Sequence, residues 1–303
     1  MRSPRSEEPH ADLLPDILQQ KSAPRTFSYV EKDVMLYAVG VGMGADPLNE
    51  QELDFVYEKR LKVLPSAATV LPTANGGFWP PANSSAKPGP RETTLDYTAV
   101  LHGEQKVELH RPLPPSGAFT VTGGVTGAID KGKDKGAILF NESVWTDAAG
   151  EKVATLTTSS FARADGGFGG PSEGAPKPHP TPTRAPDKTI EIATRPDQCA
   201  IYRLSGDTNP LHIDPEAARV SGFDRPILHG LCTFGITCRA VLQAMLDYDT
   251  DQMASHQLRW SSPVYPGDVF TIDLWRDGKE ISFEVHVKAR GVTVVKNGLT
   301  VVR

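Results

Sequence analysis

The segment that most restricts the fold of this chain is GLCTFGITCRAVLQAML, from Gly230 to Leu246. Its apolar residues recur at helical spacing around the whole circumference, which is typical of a helix buried on every side. Four segments with the apolar alternation of β-strands follow, and Asp277-Gly278 between two of them is a strong hairpin turn. The pattern predicts an α+β unit in which an antiparallel sheet curls around a buried helix.

The segment from Ala164 to Asp187 consists mainly of Gly, Pro and small residues. Such a composition favours extended, hydrated chain, so we predict a linker. The halves on either side share two patterns in the same order. Pro47-Leu48-Asn49 aligns with Pro210-Leu211-His212, and His110–Val125 parallels Ser261–Trp275. The repetition indicates a duplicated domain.

The duplication predicts a double hot dog fold of class α+β, in which two units, each a curved sheet around a helix, share one continuous sheet. We assign residues 1–163 to the first unit, 164–187 to the linker and 188–303 to the second unit. In the ungapped alignment, Gly44 stands at the place of Asp207 and Asn49 at the place of His212. The first unit therefore has the scaffold without this acid and base.

Composition excludes several classes of protein. The formal net charge of -5 does not suggest a nucleic-acid partner. Three cysteines, Cys199, Cys232 and Cys238, form no even disulfide framework and have no zinc-ligand spacing with a histidine. The longest apolar runs fall short of the ~18 residues of a membrane span, and the first residues lack the apolar region of a secretory signal. We expect a soluble intracellular protein without a membrane partner.

The loop YRLSGDTNPLHID, residues 202–214, holds the candidate chemistry. Gly206 and Pro210 bend the chain so that the carboxylate of Asp207 and the imidazole of His212 can face one point. Such a pair can hold and polarise a water molecule, and Asn209 can orient either partner or the water. The alternative is structural, with Asp207 capping a turn and His212 satisfied in a loop. No Ser or Cys nucleophile accompanies the pair at motif spacing, which disfavours covalent acyl transfer.

A further candidate is Gly230 in the following segment, DRPILHGLCTFG. It stands at the start of the predicted buried helix, where its N–H can point at an oxyanion with the aid of the helix dipole. The combined segment, YRLSGDTNPLHIDPEAARVSGFDRPILHGLCTFG, resembles the signature of the MaoC-like (R)-specific 2-enoyl-CoA hydratases, the hydratase 2 group, as in the hydratase part of peroxisomal multifunctional enzyme type 2. The resemblance runs from about Ala11 to Val302 and includes LYAVGVGMG, LHGEQ, DKGKDKGA, GGFGG and VYPGD.

The resemblance implies addition of water to the trans-2 double bond of an enoyl-CoA to give the (3R)-hydroxyacyl-CoA. It places the family's catalytic acid and base on Asp207 and His212, with Asn209 beside them, and its oxyanion donor on the N–H of Gly230. The substrate contacts that it implies are His102, Gly103, Lys131, the whole loop Asp207, Thr208, Asn209, Pro210, Leu211 and His212, then Gly230 and Trp260. The family usually has Phe where Trp260 stands.

The resemblance further implies a homodimer. It also implies no metal or redox cofactor, and CoA is part of the substrate. It implies a peroxisomal location in a eukaryote, although the terminal LTVVR lacks a Ser-Lys-Leu address, and a cytoplasmic one in a bacterium. The first unit would accommodate the acyl chain. Two alternatives stay open: a hot dog acyl-CoA thioesterase, and a non-catalytic acyl-CoA-binding protein. The sequence does not choose between hydration and the reverse dehydration.

Overall fold

The computed structural model describes residues 21–73 and 99–303. Ala11, where the family resemblance begins, and the rest of residues 1–20 and 74–98 lie outside the described part. The strands are β1 Lys21–Tyr29, β2 Val100–Leu109, β3 Gly117–Asp130, β4 Ala137–Thr146, β5 Lys152–Ala162, β6 Lys188–Ala193, β7 Met253–Trp260, β8 Val269–Asp277, β9 Glu280–Val287 and β10 Val292–Val302.

Five α-helices accompany these strands in the described residues. They are α1 Glu31–Gly40, α2 Glu50–Val56, α3 Gln198–Tyr202, α4 Pro215–Val220 and α5 Gly230–Met245. Short 3-10 turns lie at Glu58–Arg60, Pro65–Thr69, Leu71–Thr73, Arg203–Ser205, Pro210–His212, Thr250–Gln252 and Lys288–Arg290. None of the helices in these ranges is long and apolar enough to cross a membrane.

All ten strands form one antiparallel sheet in the order β1-β3-β4-β5-β2-β7-β10-β9-β8-β6. The first five strands belong to the N-terminal half and the last five to the C-terminal half. Counted from its own outer edge, each half has its strands in the order first, third, fourth, fifth, second. The halves join where β2 pairs with β7, with Glu104 opposite Arg259 and Glu108 opposite Ser255. The predicted double hot dog fold with one continuous sheet is confirmed.

The predicted buried helix is α5, in which eleven residues from Cys232 to Ala244 are buried. Glycine at position 235 lets α5 approach α1 and the residue that follows it. A Cβ atom there would lie 2.6 Å from Tyr37 Oη and would also collide with Val41 Cγ1. In the N-terminal unit, the 3-10 turn Pro65–Thr69 packs against α5 and the sheet. The core is therefore shared by both units and centred on α5.

Local patterns place the ends of several elements. Asp214 caps α4, because its carboxylate accepts the N–H of Glu216, and Gly222 follows the helix with a φ of +87°. The hairpin between β8 and β9 turns at Gly278, which has a φ of +61°. In β2, Gln105, Val107 and Leu109 are buried in alternation, as expected for a strand with one face in the core. The position of the hairpin turn agrees with the sequence-based prediction.

Between β5 and β6, residues 163–187 have neither helix nor strand. Although much of this segment is exposed, it is fastened to both units. Phe168 packs into a small buried cluster with Ala128 and Leu139. Further along, the carbonyl of Arg184 accepts the indole N–H of Trp275 at 2.8 Å. The segment thus has no regular secondary structure and contacts both units, and its assignment as a linker stays a prediction.

Candidate active site

A cavity of about 730 Å³ opens where the two units meet. Its walls come from the beginning of β2, the end of β5, the loop after α3, the beginning of α5 and the end of β7. Seven of the predicted site residues line it: His102, Asp207, Asn209, Leu211, His212, Gly230 and Trp260. Four others, Gly103, Lys131, Thr208 and Pro210, do not form its walls. The main candidates for chemistry, which are distant in sequence, therefore share one cavity.

The loop that carries Asp207 is bent by glycine and fixed by its own side chains. Gly206 has a φ of +123°, and a Cβ atom there would lie 2.7 Å from the carbonyl oxygen of Thr73. The carboxylate of Asp207 accepts the N–H of Asn209 at 3.3 Å, and the amide oxygen of Asn209 accepts the N–H of Leu211 at 3.0 Å. Asp207 does stabilise a turn, as the structural alternative predicted, and it also faces the cavity.

The imidazole of His212 is held in a defined orientation. Its Nδ1 lies 2.9 Å from the carbonyl oxygen of Ile227. A carbonyl only accepts hydrogen bonds, so Nδ1 carries the proton of the neutral ring and Nε2 keeps a lone pair. Burial lowers the pKa of His212, although the charge of Asp207 and the bond to Ile227 oppose the shift. The neutral ring, which can accept a proton, is therefore favoured.

Gly230 is the first residue of α5, where backbone N–H groups have no partner within the helix. Its carbonyl accepts the indole N–H of Trp260 at 3.1 Å. A Cβ atom at this position would lie 3.2 Å from Cε2 of Trp260, so any larger residue would press on the cavity wall. The N–H at the positive end of the helix dipole is suited to a negatively charged oxygen.

Trp260 also contacts His102, and their ring centroids are 4.5 Å apart. His102 Nε2 lies 3.1 Å from the carbonyl oxygen of Glu104. Burial lowers the pKa of His102 to about 4, so this ring is neutral near pH 7. Gly103 stands at an irregularity in the pairing of β2 with β5, where a Cβ atom would lie 3.3 Å from Ser159 O. Gly103 thus shapes the strand behind His102.

Two protein-family models match consecutive parts of the chain. The MFE-2 hydratase 2 N-terminal domain matches residues 27–164, and the MaoC like domain matches residues 177–298. An enoyl-CoA hydratase of Mycobacterium tuberculosis is 38% identical over 279 residues, which are 92% of this chain and 94% of that protein. The chain belongs to the MaoC-like hydratase 2 family.

Members of the hydratase 2 family differ in length. The peroxisomal multifunctional enzyme type 2 of mouse is 38% identical over 277 residues, which are 89% of this chain and only 36% of the mouse protein. The crystal structure of a MaoC-like dehydratase from Phytophthora capsici has a TM-score of 0.82 and 34% identity, covering 96% of this chain and 97% of that one. The structural similarity therefore extends over both units.

The first unit contains a loop that aligns with the loop carrying Asp207 and His212. Asn49 caps α2 by accepting the N–H groups of Gln51 and Glu52, much as Asn209 caps the turn after it. The N–H of Gly44, which aligns with Asp207, donates to the Glu52 carboxylate at 2.8 Å. Arg239 of α5 binds the same carboxylate at 2.7 Å. A buried ion pair thus lies beside Gly44 and Asn49, the positions that align with Asp207 and His212.

Lys131 lies in the turn between β3 and β4, where its side chain is exposed and its N–H donates to Gly136 O at 3.0 Å.

The structure also adds residues that the sequence did not single out. Arg163 and Phe223 line the cavity, and His229 lies beside it. The sequence feature that could have identified His229 is its position directly before Gly230, in Leu228-His229-Gly230.

Asp207, His212 and His229 each offer a potential metal-ligand atom, and these atoms lie within 4.8 Å of one another. The two imidazole rings are in contact, with centroids 3.9 Å apart and planes inclined by 30°. With Nδ1 of His212 facing Ile227 O, Nε2 of His212 and the carboxylate of Asp207 are the polar atoms of this cluster that can hold water at the cavity.

Proposed function

We propose that this chain catalyses the (R)-specific hydration of trans-2-enoyl-CoA to (3R)-3-hydroxyacyl-CoA, and the reverse dehydration. The observation that carries the proposal is the meeting of Asp207, His212 and Gly230 at one cavity between the units. The enoyl-CoA hydratase of M. tuberculosis, similar over 94% of its length, supports the same reaction. The chain is then a hydro-lyase of fatty-acid metabolism.

The water molecule is bound between Asp207 and His212. Its oxygen attacks C3 of the enoyl thioester, and the pair of side chains takes up the proton that the water loses. The electrons of the double bond move toward the thioester oxygen, and the N–H of Gly230 stabilises the charge that develops there. The pair then delivers a proton to C2. One hydroxyl group and one proton have been added, so the reaction is redox-neutral and needs no redox cofactor.

The lowered pKa of His212 suits this role. A histidine must be neutral to accept a proton from water, and burial favours the neutral form. Since Nδ1 is engaged by Ile227 O, Nε2 is the ring nitrogen left for the water. Asp207 supplies the negative charge that stabilises the imidazolium when it forms.

We also propose that the first unit accommodates the acyl chain. A second, partly open cavity of about 400 Å³ is formed by this unit. It is lined by residues of β1, β3, β4 and β5 and by residues near the 3-10 turns at 65–73. Asn141 lines both cavities, which supports a path from the reacting carbons into the first unit. A long or bulky chain should therefore bind better than a short one.

Two assignments depend on family membership more than on the geometry. We propose a homodimer on the basis of family membership. Sedimentation at the mass of a single 32.7 kDa chain would contradict it. For the compartment we propose the peroxisome if the source is a eukaryote, as for the mouse relative, and the cytoplasm if it is a bacterium.

The function is tested by following enoyl-CoA substrates of increasing chain length and measuring loss of the conjugated double bond. A thiol reagent with a saturated acyl-CoA is run in parallel. Hydration without release of thiol supports the proposal. Release of thiol would support the thioesterase alternative, and binding without any reaction would support a non-catalytic acyl-CoA-binding protein.

A further inference from the structure

His229 is a completely buried histidine in direct contact with the proposed catalytic groups. It precedes α5, yet its side chain does not cap the helix. Instead, Nε2 lies 3.1 Å from the backbone carbonyl oxygen of Asp207. Because the carbonyl only accepts, Nε2 must carry the proton and donate. The side chain of His229 therefore holds the main chain of the residue that supplies the carboxylate.

The ring of His229 contacts two other rings. Its centroid is 3.9 Å from that of His212 and 4.9 Å from that of Tyr202. Burial, followed by the proximity of His212, holds the pKa of His229 well below its ordinary value. A neutral ring adds no positive charge beside His212, so His212 can take up a proton without repulsion from its neighbour.

The backbone of His229 is also fixed. Its carbonyl accepts the N–H groups of Cys232 and Thr233, the first bonds of α5. The next residue is Gly230, whose N–H is the proposed oxyanion donor. The side chain of one residue thus binds Asp207 and packs on His212, while its backbone sets the start of the helix that carries the third group.

We propose that His229 is a positioning residue that holds the backbone of Asp207 through its Nε2–H, so that the carboxylate faces His212 and the bound water. This inference rests on the hydratase function proposed above. His229 does not contact the reacting atoms, so its effect must come through geometry. A misplacement of about 1 Å at a reacting group can cost on the order of 100-fold in rate.

The test compares substitutions that keep either the donor or the ring. His229→Gln keeps an N–H that can reach the carbonyl of Asp207, whereas His229→Phe keeps an aromatic ring without a donor. We expect His229→Gln to retain kcat within about tenfold and His229→Phe to lose about 100-fold, with KM changed by less than about threefold in both. A role in packing alone predicts the opposite order. Full kcat in His229→Phe would overturn the inference.

The matched control is His256, another completely buried histidine, which contacts Thr237 of α5 and Thr300 of β10 and does not line the cavity. His256→Phe should lower thermal stability without a selective loss of kcat. Wild-type activity and Asp207→Asn are measured beside it. Lack of hydration by the wild type would reject the function itself, whereas hydration that depends on Asp207 but not on His229 would reject only this inference.

A measurement on the unaltered protein covers the case in which His229→Phe does not fold. Selective ¹⁵N labelling of histidine reports which ring nitrogen carries the proton. We expect His229 to show the Nε2–H tautomer, without titration between about pH 5 and 8, in which range an ordinary histidine changes charge. The Nδ1–H tautomer, or titration in that range, would contradict the hydrogen bond on which the proposal depends.

Discussion

The charge of Asp207 can be removed without removing the turn that the residue stabilises. The substitution Asp207→Asn keeps an oxygen that can accept the N–H of Asn209, which the native carboxylate accepts at 3.3 Å. We expect kcat to fall by about 100–10,000-fold, the range for a general acid–base group. KM should change much less, because the rest of the cavity wall is intact. Asp207→Ala should give the same loss of kcat and a less stable loop.

When His212 is removed together with Asp207, kcat should fall little further than in either single variant. His212→Ala alone should lower kcat by about 100–10,000-fold, because Asp207 and His212 act on the same water molecule. Once one is absent, the other has no correctly bound water to activate. The double substitution Asp207→Asn/His212→Ala should therefore be little slower than either single one. Steady-state hydration rates of all four proteins complete the cycle.

The control comes from the matching loop of the first unit. Asn49→Ala removes the cap of α2, where the side chain accepts the N–H groups of Gln51 and Glu52. The unfolding free energy should fall by about 1 kcal/mol, while kcat stays within about twofold. Circular dichroism verifies that every variant is folded. If folded Asp207→Asn and His212→Ala retain nearly full activity, the reaction takes place elsewhere and the reasoning is refuted.

Three further outcomes follow from the buried charges and rings. Glu52→Gln leaves the guanidinium of Arg239 without its charged partner. The free energy of unfolding, measured with denaturant, should therefore fall by about 3–5 kcal/mol, with little change in kcat of the folded protein. An unchanged denaturation midpoint would contradict this. Burial lowers the pKa of His256 to about 3, so below about pH 6.5 the unfolded chain binds a proton that the folded chain refuses. Between about pH 6.5 and pH 3, the free energy of unfolding should then decrease by about 1.4 kcal/mol for each unit by which the pH is lowered. His256→Phe should reduce this dependence on pH. Since the pKa of His212 is lowered, the acid limb of kcat should lie below the ordinary histidine pKa of ~6.5; a limb above it would argue against His212 as the base.

The parts of the fold that could be predicted are those governed by local patterns. The apolar circumference of Gly230–Leu246 predicts a buried helix, and α5 covers nearly the same residues. The turn at Asp277-Gly278 is likewise set by residues close in sequence. The repeated motifs predicted two units in one sheet, and the strand order confirms it.

The remaining features depend on contacts between distant residues. The pairing of β2 with β7 and the bond from His229 to Asp207 join parts of the chain that no short pattern relates. The ion pair of Glu52 and Arg239 spans 187 residues for the same reason. In the site, the sequence motifs singled out His212 and Gly230, and both line the cavity. The assignment of Lys131 as a substrate contact stays a prediction.

The central claim is tested most directly by the configuration of the product formed from a trans-2-enoyl-CoA. The unaltered protein is incubated with the substrate in water, and the 3-hydroxyacyl-CoA is resolved by chiral chromatography after hydrolysis. The account predicts the (3R) enantiomer from the wild type and essentially none from Asp207→Asn. The (3S) enantiomer, or (3R) product formed equally well by the variant, would contradict it.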